Sequence, residues 1–171
     1  MEYIKNINSK IGNLLLSSDG DALTGLWIVD QKYFARTLGD EYKESDLKIF
    51  RDTEEWLGRY FSGKRPSPSE LKLNPRGSEF QKAVWNILVN IPYGEVITYG
   101  EIAQEMAKLR GKKKMAAQAV GGAVGHNPIS IIIPCHRVVG KGKRLTGYAS
   151  GIDNKITLLE LEGVDLLGYT L

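Results

Sequence analysis

Cysteine is nearly absent from this chain of 171 residues: Cys135 is the only one, and histidine occurs twice. A single cysteine excludes an internal disulfide, and one cysteine with two histidines is a poor ligand set for a structural zinc ion. Apolar runs are also short. None approaches the length of about eighteen residues that a membrane-spanning helix requires, and the N-terminal MEYIKNINSK lacks a signal-peptide core. We therefore expect a cytoplasmic protein with no membrane contact and no metal site.

Acidic residues are missing from residues 106–152, a stretch of 47 positions that holds nine cations. Residues 1–76 carry twelve Lys/Arg and twelve Asp/Glu, so the second half supplies the net charge of +3. A solvated basic face and a binding surface for a polyanion both fit such a stretch. The presence of Cys135 within it favours the polyanion surface.

Regular patterning is interrupted at GKRPSPSELKLNPRG, residues 63–77, which contains three prolines and two serines. We place the domain boundary here. Residues 1–76 are expected to form an N-terminal α/β scaffold domain that includes this linker, and residues 77–171 a mostly helical domain. In the first domain, apolar residues 14–16 and 23–29 predict two strands around a turn, and the helical period of residues 44–61 predicts one helix.

The second half contains a pair of predicted helices with a basic connection. Ser78 and Thr98 each precede a helical apolar pattern and are predicted N-caps. KLRGKKK then leads into MAAQAVGGAVGHN, which predicts a helix-turn-helix. Two adjacent glycines lower helix stability by about 2 kcal/mol. They fit either close packing on a neighbouring helix or a face kept small for an external surface such as a DNA minor groove.

The thiol lies in SIIIPCHRVVG, residues 130–140. A lone cysteine is commonly an inert, small hydrophobic residue. Here His136 is adjacent, and the cations around it, Arg137 included, predict a lowered thiol pKa and hence a nucleophilic thiolate. A histidine that activates a thiol needs a third group to orient it. The acids after position 105 that offer this are Asp153, Glu160, Glu162 and Asp165.

Several segments together resemble the 6-O-alkylguanine-DNA alkyltransferase family, the methylated-DNA–protein-cysteine methyltransferases. They are IPYGEVITYGEIA, AVGGAVGHNPISIIIPCHRV, PCHRVVG, and GYASG with LLELEG. The resemblance is nearly continuous over residues 77–163 and loose in the first half. It implies an α+β fold, in which a ribonuclease-H-like N-terminal α/β domain precedes a mostly helical, winged-helix-like DNA-binding domain.

The resemblance implies direct DNA repair. Cys135 would take the alkyl group from 6-O-alkylguanine, and from 4-O-methylthymine, in one irreversible displacement. Each molecule would act once, as a monomer and without a cofactor, on a nucleotide flipped out of double-stranded DNA. The alternative within this architecture is a non-catalytic sensor of alkylated DNA, a type that lacks the thiol. A cysteine protease would require an oxyanion hole and turnover, and a redox-sensing thiol leaves the helix-turn-helix unexplained.

The resemblance also implies catalytic and substrate-binding residues. Glu162 would hold His136, which would take the Cys135 proton through a water. Tyr99 would donate to the guanine ring, and Asn127 would tie the turn after the recognition helix to the active-site segment. The substrate-binding residues would be Tyr148, Val138, Ala149 and Lys155, with the carbonyls of Cys135 and Val138 accepting from the guanine amino group.

The implied DNA contacts lie mainly in the second helix of the pair. They are Ala117, Gln118, Ala119, Gly121, Gly122 and Ala123, together with the cations Lys113, Lys114 and Arg137. Gln118 stands where well-known family members have an arginine that inserts into the base stack. Ala149 stands where some members have a serine near the alkylated oxygen. Both departures would alter rate or substrate range and leave the nucleophile unchanged.

Overall fold

The computed structural model describes residues 1–171, which divide into two compact units. The first unit comprises Met1–Arg76 and Pro128–Ile132, and the second comprises Gly77–Asn127 and Ile133–Leu171. The chain therefore re-enters the second unit at Ile133, two residues before the cysteine. None of the helices is long and apolar enough to cross a membrane.

The first unit is built on a four-stranded sheet in the order β3-β2-β1-β4. Its strands are β1 (Glu2–Ser9), β2 (Gly12–Ser18), β3 (Leu23–Ile28) and β4 (Tyr42–Glu44). Strands β1, β2 and β3 are antiparallel neighbours, whereas β4 pairs in parallel with the start of β1. Strands β2 and β3 confirm the two that were predicted. Strand β1 was missed because its sequence, EYIKNINS, contains no apolar run.

One α-helix, α1 (Lys48–Phe61), completes the first unit. Its predicted start at residue 44 is wrong, because Tyr42–Glu44 are extended and pair with β1. The sheet and the helix enclose a core whose most buried members are 0% exposed: Leu14, Leu16, Leu23, Leu26 and Phe50. Burying each such side chain stabilises the fold by about 1.5–3 kcal/mol.

The second unit contains four helices and a two-stranded parallel sheet. The elements are α2 (Glu79–Val89), β5 (Ile97–Thr98), α3 (Tyr99–Leu109), α4 (Ala117–Gly125), β6 (Val138–Val139) and α5 (Ile152–Leu161). Ser78 and Thr98 accept hydrogen bonds from the backbone N–H groups of Gln81 and Glu101, which confirms both predicted N-caps. Helices α3 and α4 form the helix-turn-helix pair, and both pack against α2.

The β5–β6 pair brings two distant parts of the sequence together. Ile97 pairs with Val138, and Thr98 pairs with Val139. Tyr99 follows β5 directly, and a single 3₁₀ turn, Cys135–Arg137, directly precedes β6. The start of α3 and the cysteine turn are therefore held in one small region of the second unit.

Candidate active site

Cys135 begins the 3₁₀ turn and is buried, with only 6% of its surface exposed. Its backbone N–H donates to the carbonyl of Ile133 at 2.8 Å. The side chain of Asn127 hydrogen-bonds the thiol, and its Nδ2 also donates to the Ile133 carbonyl at 2.8 Å. Because Asn127 follows α4 directly after His126, it links the end of the helix-turn-helix to the cysteine turn.

The imidazole of His136 is completely buried, and its Nε2 lies 2.6 Å from a carboxylate oxygen of Glu162. Burial lowers the pKa of His136, and the hydrogen bond with Glu162 opposes this only in part. A neutral imidazole that faces a carboxylate carries its proton on the facing nitrogen, so Nδ1 is the nitrogen able to accept a proton. Among the four acids considered as orienting groups, Glu162 is the one that reaches His136.

Arg137 belongs to the same buried cluster, which corrects its expected place on the DNA-contacting surface. Its Nε and Nη2 donate to the two oxygens of Glu162 at 2.8 and 3.1 Å, and its Nη1 donates to the carbonyl of Ile91 at 2.6 Å. Only 7% of Arg137 is exposed. The physical reason is that a buried carboxylate requires a cation, and the guanidinium fork matches both of its oxygens.

The charge of Glu162 is stabilised by this arrangement. Burial by itself raises the pKa of Glu162, but the hydrogen bonds and charges of His136 and Arg137 outweigh burial and hold that pKa well below its usual range. The backbone N–H of Gly94 adds a further hydrogen bond at 3.1 Å. Glu162 is therefore a carboxylate at neutral pH and can stabilise a positive charge on His136.

The thiol pKa is shifted in the direction opposite to the sequence prediction. Burial raises the pKa of Cys135, and the hydrogen bond from Asn127 and the charge of Lys155 lower it only in part. Nearby cations in the sequence do not have the expected effect, because Arg137 is neutralised by Glu162. The site thus holds a protonated thiol at neutral pH, which must lose its proton to a base when it reacts.

Lys155 is a buried cation that holds the loop between β6 and α5. Its Nζ donates to the carbonyls of Val138 at 2.5 Å, Thr146 at 2.8 Å and Gly147 at 3.4 Å. Burial lowers the pKa of Lys155 to about 8. The Val138 carbonyl, expected to accept from the guanine amino group, therefore already accepts from Lys155. Ala149 lies half-buried in the same loop.

Two tyrosines line this part of the loop. The hydroxyl of Tyr99 donates to the Thr146 carbonyl at 3.3 Å, and burial raises its pKa. Gly147 has a φ of 65°, and a Cβ there would lie 3.2 Å from the Tyr99 hydroxyl. Tyr148 packs edge-on against His136, and its buried hydroxyl has no hydrogen-bond partner in the structure. Such a group costs about 1–3 kcal/mol, which indicates a position suited to a bound ligand.

The two adjacent glycines of α4, Gly121 and Gly122, are not required by packing inside the second unit. A Cβ added at Gly122 would meet no atom within 4 Å. A Cβ added at Gly121 would meet only the ring of Tyr99, at 3.9 Å, an ordinary van der Waals distance. Of the two explanations for this helix, close packing on a neighbouring helix is therefore unsupported at both positions. The small face is compatible with close approach of an external surface.

Of the remaining residues predicted to contact DNA, one is buried and the others named below are exposed to solvent. Ala123 is buried, 4% exposed, and its carbonyl accepts from Trp85 Nε1 at 2.8 Å, so its expected place on the DNA-contacting face is corrected. The physical reason is helical periodicity, which turns this position towards α2. The exposed members of the set are Lys113, Lys114, Ala117, Gln118, Ala119 and Gly122.

Comparison with known proteins assigns both parts of the chain. Residues 79–164 match the DNA-binding domain of 6-O-methylguanine DNA methyltransferase, and residues 3–75 match its ribonuclease-like domain. The chain belongs to the 6-O-methylguanine DNA methyltransferase family. The methylated-DNA–protein-cysteine methyltransferase of Haemophilus influenzae is 42% identical over 162 residues, which cover 95% of this chain and 87% of that protein. The Methanosarcina acetivorans protein of the same name is 45% identical, and the match covers 94% of this chain and 98% of that protein.

Solved structures of this methyltransferase family confirm the α+β fold. A crystal structure of the Mycobacterium tuberculosis OGT in complex with DNA has a TM-score of 0.81 and 43% identity, covering 94% of this chain and 93% of that chain. The crystal structure of the Mycobacterium tuberculosis O6-methylguanine methyltransferase has a TM-score of 0.77 and 43% identity. The match covers 95% of this chain and 93% of that chain. The ribonuclease-like sheet domain and the helical DNA-binding domain inferred from the family resemblance are therefore confirmed.

Two residues that support the methyltransferase site were not predicted from the sequence. Gly94 donates its N–H to Glu162, and the ring of Tyr93 lies 5.7 Å from the guanidinium of Arg137. The Tyr93 hydroxyl also donates to the carbonyl of Leu161 at 3.2 Å. The available signal was the Pro-Tyr-Gly turn within IPYGEVITYGEIA, a segment that contributed only to the family resemblance.

Proposed function

We propose that this chain repairs alkylated DNA by moving the methyl or alkyl group of 6-O-alkylguanine irreversibly onto Cys135. The observation that carries the proposal is the buried His136–Glu162 hydrogen bond beside the only thiol of the chain, within a helix-turn-helix unit. The Haemophilus influenzae and Methanosarcina acetivorans relatives, both named methylated-DNA–protein-cysteine methyltransferase, support the same reaction.

The chemistry is a displacement at the alkyl carbon. The Cys135 sulfur forms a bond to this carbon while the bond from the carbon to the guanine oxygen breaks. The electron pair of the broken bond stays on the guanine. Because the pKa of the thiol is raised by burial, a base must remove its proton. Neutral His136 can accept this proton on Nδ1, and Glu162 then stabilises the imidazolium. Overall, the thiol proton is transferred to the guanine ring.

Tyr99 can serve as a hydrogen-bond donor in this chemistry. Negative charge develops on the guanine ring as the carbon–oxygen bond breaks, and a phenol hydrogen bond stabilises such charge. The burial that raises the pKa of Tyr99 keeps the phenol protonated at neutral pH. Tyr148 offers a second hydroxyl, which is buried beside His136 and has no partner in the protein.

Because of the product that forms, each protein molecule can react only once. A thioether on Cys135 contains no good leaving group, so the alkyl carbon stays on the sulfur and the thiol is not regenerated. The repaired guanine leaves intact, and strand cleavage is not part of the reaction. The chain is thus both the transferase and the acceptor, and the expected stoichiometry is one alkyl group for each molecule.

DNA binding brings the lesion to the thiol. The target nucleotide must leave the base stack, which costs a few kcal/mol and less for an alkylated guanine that pairs poorly. The exposed small face of α4 fits a minor groove, and Lys113 and Lys114 can contact phosphates. Gln118, exposed on the same helix, can fill the space of the flipped base. Alkylated thymine, the monomeric state and the cytoplasmic location stay predictions.

Intact-mass spectrometry tests the function directly. The protein is incubated with a duplex that carries one 6-O-methylguanine, or with the same duplex unmodified. We expect a stoichiometric mass gain of one methyl group with the damaged duplex alone, located on Cys135 by peptide mapping. Cys135→Ala serves as the matched control and should gain nothing. Binding of the damaged duplex without any mass gain would contradict the transferase function and favour a sensor of alkylated DNA.

A further inference from the structure

The chain between β6 and α5 contains a short hairpin, residues 140–145, which we call the basic hairpin. The Gly140 N–H donates to the Arg144 carbonyl at 2.7 Å, and the Arg144 N–H donates back at 3.3 Å. The turn between them has a left-handed backbone at Gly142, with φ 71°, and at Lys143, with φ 59°. A residue with a Cβ is disfavoured in this conformation. A lysine at such a position suggests that its side chain has a role that glycine could not fill.

Three cations cover the basic hairpin: Lys141, Lys143 and Arg144 are all exposed. None of them takes part in an ion pair with a carboxylate, and no acid lies between residues 106 and 152. Like charges placed this close repel one another unless an anion lies between or beside them. A row of closely spaced phosphates is the anionic surface that matches three adjacent cations.

A second segment, residues 166–170, holds the basic hairpin in place; we call it the return segment. The Leu145 N–H donates to the Thr170 carbonyl at 2.7 Å, and the Thr170 N–H donates to the Lys143 carbonyl at 3.0 Å. Tyr169 packs on the buried cluster that contains Leu145, and the Lys143 ammonium lies 5.7 Å from the centre of its ring. The return segment therefore fixes both the backbone of the hairpin and one of its cations.

The basic hairpin is also continuous with the active-site loop. Thr146 follows the hairpin directly, and its carbonyl accepts from both Tyr99 and Lys155. An anion bound at the hairpin would thus be held close in sequence to groups that surround the thiol. Backbone contacts of this kind position a protein on DNA without reading its sequence.

We infer that the basic hairpin is a second phosphate-contacting element, separate from the helix-turn-helix, and that the return segment presents it to the DNA backbone. The inference deepens the proposed repair function, since it names the part of the DNA that this surface binds. Lys141, Lys143 and Arg144 each neutralise a phosphate, and Tyr169 is a positioning residue that contacts no DNA itself.

The test measures binding of an undamaged duplex by fluorescence anisotropy over a series of salt concentrations. In the triple variant Lys141→Gln, Lys143→Gln, Arg144→Gln, the log–log salt slope should become shallower by about 2 to 3, because each lost phosphate contact removes about 0.9. The matched control removes three exposed cations of the first unit, Lys32→Gln, Lys43→Gln and Lys64→Gln, and should keep the native slope. Equal slopes in the two triple variants would overturn the inference.

The return segment is tested at Tyr169. Tyr169→Ala should weaken duplex binding about tenfold, because the hairpin side chains then lose their ordering before they bind. Tyr169→Phe keeps the ring against Lys143 and should bind as the native protein does. Native affinity in Tyr169→Ala, or equal loss in Tyr169→Phe, would contradict the positioning role. The hairpin triple variant, Lys141→Gln, Lys143→Gln, Arg144→Gln, stays informative even if Tyr169→Ala is unstable.

Transfer from a free 6-O-alkylguanine base separates this inference from the proposed function. The free base has no phosphates, so the rate of alkyl transfer from it to Cys135 should be the same in all hairpin variants as in the native protein. Failure of transfer in the native protein would overturn the proposed function and leave the salt slopes interpretable. A hairpin variant that loses free-base transfer while keeping its salt slope would instead assign residues 140–145 to the thiol site.

Discussion

Replacing Glu162 with glutamine tests the buried ionic cluster at the active site. The carboxylate accepts from His136 Nε2 at 2.6 Å, from Arg137 at 2.8 and 3.1 Å, and from the Gly94 N–H at 3.1 Å. An amide of the same shape keeps one oxygen and turns an NH₂ group towards the other donors. Glu162→Gln therefore creates a donor–donor contact and leaves the Arg137 guanidinium buried without its counter-charge.

The expected loss of stability is large. Breaking a buried ion pair by removing one partner costs about 3–5 kcal/mol, since the remaining charge stays out of water. In a protein of this size each kcal/mol lowers Tm by about 2–4 °C, so Glu162→Gln should lower Tm by roughly 6–20 °C. The matched control is Glu160→Gln, an exposed position in the last turn of α5, two residues before Glu162, which should leave Tm nearly unchanged.

Alkyl transfer should fall together with stability. Glu162 raises the pKa of His136 against the effect of burial, so its loss makes the imidazole a weaker base. A positioned general base contributes about 10²–10⁴-fold. The assay is single-turnover transfer at a temperature where far-ultraviolet circular dichroism shows the variant folded. A Glu162→Gln protein with native Tm and native transfer rate would refute the reasoning, because the cluster would then support neither the fold nor the base.

The same cluster determines how stability depends on pH. The pKa of Glu162 is depressed in the folded state, so its contribution is fully present above the unfolded pKa of about 4.3. It is lost as pH falls from there towards the folded pKa. The Tm difference between native protein and Glu162→Gln should therefore be constant near neutrality and shrink below about pH 4. A difference that still grows below about pH 4 would contradict the assignment.

Three further predictions concern single residues. Cys135→Ser should abolish transfer and leave duplex affinity unchanged, measured by intact mass and anisotropy; sustained repair would exclude Cys135 as the acceptor. Lys155→Gln should slow iodoacetamide alkylation of Cys135, since the charge of Lys155 lowers the thiol pKa; faster alkylation at pH 7 would show that this charge does not act on the thiol. Gln118→Ala should slow duplex repair about tenfold and Gln118→Arg should speed it, whereas free-base transfer should be unchanged in both variants. Equal slowing of duplex repair and free-base transfer in Gln118→Ala would mean that Gln118 shapes the active site and does not fill the space left by the flipped base.

Local features of the second unit followed from the sequence alone. Ser78 and Thr98 were identified as N-caps because a cap depends on residues within one helical turn of it. The family was also evident from short motifs around Cys135, and those motifs already pointed to His136 and Glu162. Strand β1 and the true start of α1 were missed. Strand β1 has no apolar run to indicate it, and the start of α1 depends on the pairing of Tyr42–Glu44 with Glu2–Ile4, 40 positions earlier.

Burial and the pairing of distant charges were decided only by the tertiary structure. From the sequence, Arg137 is one cation among nine, and its neighbourhood predicts a lowered thiol pKa. In the fold, Glu162 lies against Arg137 from 25 residues away and neutralises it, and burial raises the pKa of Cys135. The electrostatic effect of a charge depends on its distance, its partner and the solvent around it. A linear sequence specifies which charges exist, whereas folding specifies which of them meet and which are removed from water.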